Sequence, residues 1–197
     1  MTASLDLTAQ QRRIVDALRP ILGAEAEALY EAHGRSLHKL AGFARDSSMP
    51  SCRRLATSLA LAQELLAEEM TAAPVFDSPT AVSDFLKLHF AGQPFESFVA
   101  MYLDAQHRLI AIEDLFRGTL AQASVYPREI ARRALHHNAD ALIVAHNHPS
   151  GSAEPSHADE ALTSALKTSL SLLDVRVLDH LVIAGSQATS LAQRGRM

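Results

Sequence analysis

Two histidines, His146 and His148, stand two residues apart, directly after the apolar run Ala141-Leu142-Ile143-Val144-Ala145. On an extended backbone, residues at that spacing project to the same side, and two imidazoles so placed can grip one metal ion. Pro149 and Gly151 then force the chain to turn. Eleven residues after His148 comes Asp159. If Ser156 caps the helix that follows, Asp159 occupies its third position, in the first turn. A strand end and a helix start can bring these three side chains together. Two imidazoles and a carboxylate are a common catalytic zinc set, which leaves a fourth position for water. Ser156, in the same turn, can hydrogen-bond a reacting oxygen.

The elements that must hold these residues follow from periodicity. The continuous apolar run 141–145 suits a buried central strand. Ser156 to Leu173 reads as a helix, and Arg176 to Ala184 as another strand. Upstream, Phe95 to Leu103 is a strand candidate, Asp104-Ala105-Gln106-His107 a hairpin turn, and Arg108 to Gly118 the return strand, alternating through Leu109, Ala111, Glu113 and Leu115. Pro127 can open a helix at its first turn, running to about His137 or Asn138. Thr80 to Phe90 looks helical, with Ser78 or Pro79 at its start. Strands alternating with helices imply an α/β domain, a mixed sheet covered by helices.

The front of the chain, residues 1 to about 71, reads as helical. Thr8 is a candidate N-cap for a first helix carrying Ile14, Val15, Leu18, Ile21 and Leu22, which Pro20 should break or kink. Ala24 to Ala32 and Ser36 to Ala44 are shorter helical runs, and Asp46 to Pro50 is a loop. Ser51 to Glu69 is the strongest helix, with Leu55, Leu59, Leu61, Leu65 and Leu66 as its apolar face. Thr71 to Pro79 has the composition of a linker, so two domains are expected, 1–71 and 76–197.

Composition narrows the class. Of 197 residues, 48% are hydrophobic and 20% charged, which excludes a disordered chain or a disulfide scaffold. The lone Cys52 cannot form an internal disulfide or a cysteine-rich zinc site, and it reads as a thiol without a redox task. The net charge of −4 lacks the bulk positive field of a strong, non-specific DNA binder. No segment approaches the ~20 apolar residues of a membrane span, and the first residues do not resemble a secretory signal. A cytoplasmic protein with no membrane partner is expected. Six of the ten histidines lie between His136 and His180, which points to acid/base or His/carboxylate metal chemistry.

His146-x-His148, seven residues, Ser156, two residues, Asp159 resembles the JAMM (JAB1/MPN) metalloprotease motif without a gap. The wider wording looks like the bacterial RadC branch: His-Asn-His-Pro-Ser-Gly, Glu154-Pro155-Ser156, Leu178-Asp179-His180-Leu181, Phe116-Arg117-Gly118-Thr119 and Pro127-Arg128-Glu129-Ile130. The resemblance covers about 76 to 197 and extends weakly into the helical front. It implies a JAB1/MPN, cytidine deaminase-like fold: a mixed β-sheet between helices, preceded here by a small all-helical domain. It implies Zn2+ held by His146, His148 and Asp159. It also implies an upstream glutamate that activates water and stands at the start of the first hairpin strand. Glu96 matches that position, in Phe95-Glu96-Ser97-Phe98, and Glu113 and Glu129 are its rivals.

The implied reaction is hydrolysis of an amide or isopeptide bond in a peptide or protein substrate. Glu96 would take a proton from water, and Ser156 would donate to the oxyanion. The RadC branch is traditionally labelled DNA repair. The alternative is therefore a nucleic-acid-associated accessory protein that keeps zinc without catalysis, and a small-molecule hydrolase is a third reading. The letters His-Asn-His do not make an HNH nuclease, whose residues come from separated positions of a ββα unit. RadC relatives carry a helix-hairpin-helix element in front. The matching stretch Leu40 to Ser48 lacks its Gly-x-Gly turn, a departure that argues against DNA binding there. Arg53-Arg54 and Arg132-Arg133 read as solvated helix faces. His180 is either a residue behind a metal ligand or a satisfied structural histidine. His136, His137 and His157 read as solvated. JAMM-like domains often pair, so the resemblance is compatible with a homodimer.

Overall fold

The computed structural model describes residues 7–77, 79–118 and 125–197. The expected helix start at Ser78, Thr119 of the RadC-like wording, and residues 1–6 lie outside them. The chain divides into two compact units, Met1–Ala62 and Gln63–Met197.

The first unit is helical, as its periodicity predicts. Helix α1 (Ala9–Leu22) starts at a capping box. The Thr8 hydroxyl accepts from Gln11 N–H, and the Gln11 side chain accepts from Thr8 N–H at 2.9 Å. Pro20 does not break this helix, which runs on to Leu22. Its missing N–H removes one bond of the ladder, and only Ile21 and Leu22 follow it in the helix. A 3-10 turn (Gly23–Glu25) leads into α2 (Ala26–Ala32), and Ser36 caps α3 (Leu37–Asp46). Gly34 and Arg35 between them are both left-handed, at φ 65° and 57°, which reverses the chain. Val15, Leu18, Leu22, Tyr30, Leu40, Cys52 and Leu55 form this unit's core. The stretch compared with a helix-hairpin-helix turn is helical through Asp46, with Gly42 inside α3.

Helix α4 (Pro50–Ala72) begins in the first unit and ends in the second. Its expected apolar face needs correction. Leu61 and Leu65 are each 62% exposed. At 3.6 residues per turn, Leu55, Leu59, Leu66 and Met70 share one stripe, whereas Leu61 and Leu65 fall on the far side. The segment read as a linker is docked by Val75, which is buried and donates its N–H to the His107 carbonyl at 2.9 Å.

The second unit is a five-stranded mixed sheet flanked by helices, the expected α/β class. Its elements are α5 (Pro79–His89), β1 (Ser97–Leu103), β2 (Leu109–Arg117), α6 (Pro127–His136), β3 (Ala141–Asn147), α7 (His157–Ser171), β4 (Arg176–Ala184) and β5 (Gln187–Ser190). The strand order is β2-β1-β3-β4-β5, with β3 and β4 parallel and the other pairs antiparallel. Strand β5 has no counterpart among the elements expected from periodicity, and β1 starts two residues later than expected. Both central strands are buried along their whole length because each face is covered. Val99, Met101, Leu103, Ile143 and Ala145 pack with α5 residues such as Phe85 and Leu86. Phe98, Ala100, Tyr102, Leu142 and Val144 pack with Ile130 of α6 and Leu166 and Leu170 of α7. Each of the large apolar side chains among them contributes about 1.5–3 kcal/mol.

The return strand β2 does not alternate cleanly. Its register to β1 shifts between Phe98 and Val99 and again between Tyr102 and Leu103, which leaves Leu115 and Ile110 as bulged residues.

Candidate metal centre

Strand β3 is two residues longer than the apolar run, so His146 and Asn147 are still strand residues. His148 follows the strand end, held by its N–H donating to the Ile183 carbonyl at 2.8 Å. Alternation puts His146 on the α7 side of the sheet. Ser156 caps α7 as predicted. The Ser156 N–H and hydroxyl both donate to Asp159 Oδ2 at 2.7 Å, and the Asp159 N–H donates back to the hydroxyl. One carboxylate oxygen is thus anchored in the cap. The other, Oδ1, lies 3.3 Å from His146 Nε2. His146 Nε2 lies 2.9 Å from His148 Nε2, and His148 Nε2 lies 3.8 Å from Asp159 Oδ2.

These three side chains offer ligand atoms that all lie within 4.8 Å of one another. Two ring nitrogens and a carboxylate oxygen converging this closely are lone-pair donors facing one point. A cation relieves that crowding, so the residues present fit a divalent metal of the zinc class. Burial by itself would raise the Asp159 carboxyl. The charged form of His146, which donates from Nε2 to Oδ1, and the Ser156 hydrogen bonds outweigh it and hold Asp159 well below the usual carboxylate range. The residue is therefore ionised, as a ligand must be.

Behind His146 lies a buried polar chain. His146 Nδ1 is 2.8 Å from His180 Nε2, and His180 Nδ1 is 2.6 Å from the Thr163 hydroxyl. Thr163 and His180 are fully buried. Burial, then the neighbouring His146, pushes His180 down to about 3, so it is neutral at physiological pH. The Phe98 ring stacks on His146 with centroids 6.5 Å apart.

Glu96 immediately precedes β1 and is half-buried. Phe98 pairs with His146 across the β1–β3 ladder. Counting two residues back along an extended chain places Glu96 on the face of Phe98 and at the level of His148. Its carbonyl accepts from the Gly118 N–H at 2.8 Å. The rival glutamates are engaged elsewhere. Glu113 accepts from Arg133 and bonds the His137 ring, and Glu129 pairs with Arg132. His137 is therefore not solvated, and its ring also lies 4.8 Å from that of Tyr102. His157 is fully exposed, as expected. Arg54 donates to the Ile21 carbonyl at 2.9 Å, Arg132 pairs with Glu129 and Arg133 donates to Glu113, so these three arginines are engaged within the chain.

Asn147 is a residue of the site that its sequence context does not single out. Its Oδ1 accepts from the Ser97 N–H at 2.7 Å, and its Nδ2 donates to the Phe95 carbonyl at 3.0 Å. The side chain thus grips the backbone on both sides of Glu96. Its position between two candidate ligands was the only local clue. Replacing it with Ala strips partners from a buried N–H and a carbonyl, each costing about 1–3 kcal/mol. Asn147→Ala is expected to lower the unfolding free energy in urea by roughly 2–4 kcal/mol, whereas an unchanged midpoint would deny the clamp.

Residues 76–196 match the family model described as the RadC-like JAB domain. A UPF0758 protein of Methylibium petroleiphilum is 60% identical over 141 residues, covering 72% of this chain and 64% of that protein. A UPF0758 protein of Variovorax paradoxus is 56% identical over 137 residues, 70% of this chain and 61% of its own length. One of Nitrosomonas eutropha is 56% identical over 142 residues, 72% of this chain and 63% of its own. The chain therefore spans a little under two-thirds of the length of these curated relatives. Among the described residues, no helix is long and apolar enough to cross a membrane.

Proposed function

We propose, since this chain belongs to the RadC-like JAB domain family, that it is a zinc-dependent hydrolase of amide or isopeptide bonds in a peptide or protein. The observation that carries this reading is the convergence of His146, His148 and Asp159 at the end of β3 and the start of α7. These three would hold the ion. When bound, zinc supplies Lewis acidity and makes water a nucleophile near neutral pH.

The chain's own residues do the rest. Asp159 stays ionised through its cap and its histidine neighbour. Glu96 takes the proton of the attacking water on its carboxylate and delivers it to the leaving amine. Asn147 and the Gly118 N–H hold the backbone that carries Glu96. Ser156 secures Asp159 Oδ2, and turning its hydroxyl toward the substrate would supply a hydrogen bond to the developing oxyanion. Phe98 walls the site on its sheet side and excludes water there.

The test is zinc-loaded protein against a panel of peptide and isopeptide substrates, beside Glu96→Gln. Cleavage by the wild type that falls about 10²–10⁴-fold in Glu96→Gln, with metal content unchanged, is the expected result. Full activity in Glu96→Gln would remove it as the base. Failure of the zinc-loaded wild type on every amide would sink the hydrolase reading.

A further inference from the structure

We infer that Thr163 and His180 form a relay that fixes the tautomer of His146, placing its ring proton on Nδ1 and leaving Nε2 as the ligand atom. The argument is a proton count along one buried chain. It starts at the Asp159 backbone carbonyl, which can only accept. Thr163 Oγ1 lies 2.6 Å from that oxygen and donates its single proton to it. With that proton committed, Thr163 can only accept at its other contact, 2.6 Å from His180 Nδ1. His180 Nδ1 therefore carries the ring proton. A neutral imidazole has one N–H, so His180 Nε2 is bare and accepts from His146 Nδ1–H across 2.8 Å. The His146 Nε2 lone pair is then turned toward His148 and Asp159.

His148 reaches the same state by a shorter route. Its Nδ1 lies 2.8 Å from the Ser152 carbonyl, an obligate acceptor, so Nδ1 donates and Nε2 is bare. The two candidate ligands are thus poised alike by different means. One uses a backbone carbonyl of the site loop. The other uses a threonine and a second histidine that reach back to the carbonyl of Asp159 itself. That closure ties the first turn of α7 to β4 and β3, so the third candidate ligand and the tautomer of the first belong to one hydrogen-bonded unit. Thr163 and His180 are positioning residues and touch no substrate. Partners of this kind typically change metal affinity 10- to 100-fold when removed.

The inference rests on the metal reading only for its affinity readout, and the test separates the two. Two-bond proton–nitrogen NMR spectra of metal-free full-length protein, at about pH 8, where histidines are neutral, report each ring's tautomer directly. The wild type is expected to show His146 protonated on Nδ1. Thr163→Val should mix or invert that tautomer and weaken zinc binding about 10- to 100-fold in a chelator competition. Thr163→Ser should restore both. His180→Gln, with circular dichroism to check folding, is the second variant and should weaken zinc binding similarly. A wild-type His146 protonated on Nε2, or a Thr163→Val protein with unchanged tautomer and affinity, would overturn the relay. Correct tautomers in a wild type that takes up no zinc would uphold the relay and remove the metal reading instead.

Discussion

Protein purified without a histidine tag is expected to carry about one zinc ion per chain, as three protein ligands require, and His146→Ala protein essentially none. The expectation follows from how the ligand atoms are placed. His146 Nε2 is the atom both others approach, at 2.9 Å for His148 and 3.3 Å for Asp159. Removing it leaves one imidazole and one carboxylate, too few to hold zinc against solvent. Asp159→Ala should lower affinity as well. It also removes the Asp159 half of the α7 capping box, a hydrogen bond to the Ser156 N–H that contributes about 0.5–1.5 kcal/mol, so His146→Ala is the cleaner variant. Elemental analysis of both proteins decides the matter. No metal in the wild type, even after zinc is added back, would leave the three residues as a polar cluster and withdraw the hydrolase reading with it.

Metal-free protein is expected to lose stability steeply as pH falls from about 6.5, the ordinary histidine value, to about 3, where folded His180 titrates. In that window the unfolded chain binds a proton on His180 that the folded chain refuses. Stability therefore rises with pH through it and falls on acidification. The shift corresponds to on the order of 5 kcal/mol over the whole window. His38 and His137 are also lowered, chiefly by burial, and act with the same sign. Asp159 extends the trend further down. Its depressed carboxyl contributes stability above its unfolded value, and that contribution is lost only as pH falls through the folded one. Urea unfolding of chelated protein at about pH 7.5, 5 and 4 measures the slope. His180→Gln should flatten it in part. A wild-type stability that is level across those values would contradict the burial of a neutral His180.

The features legible in the sequence were those set by neighbours along the chain. Ser156 and Asp159 are three apart, so a helix start alone brings a hydroxyl and a carboxylate into a capping box. Thr8 and Gln11 do the same at α1. His146 and His148 share a side because a strand repeats every two residues. Pro127 opens α6 because its missing N–H has no partner to lose there. The apolar run 141–145 announced a central strand because both faces of β3 are covered. These local rules, with the RadC-like wording around them, sufficed for the fold class and the candidate ligands.

Tertiary structure alone decided the rest, because it depends on pairing between distant segments. His180 lies three residues after Val177, an odd offset that puts them on opposite faces of a regular strand. The β3–β4 register shifts so that Leu142 pairs with Val177 and Ile143 with Asp179, leaving Leu178 as the extra residue. That bulge turns His180 to the face of Val177 and hence toward His146. Asn147 reaches Phe95 and Ser97 across about fifty residues of chain because β1 lies antiparallel beside β3. His137 is drawn from solvent by Glu113, on a strand 24 residues earlier. Leucines 61 and 65 stay exposed because the buried stripe of α4 passes through Leu55, Leu59, Leu66 and Met70 instead. A two-residue period can say which side chains share a face only while the strand stays regular. Where a bulge interrupts it, the register set by the neighbouring strand decides.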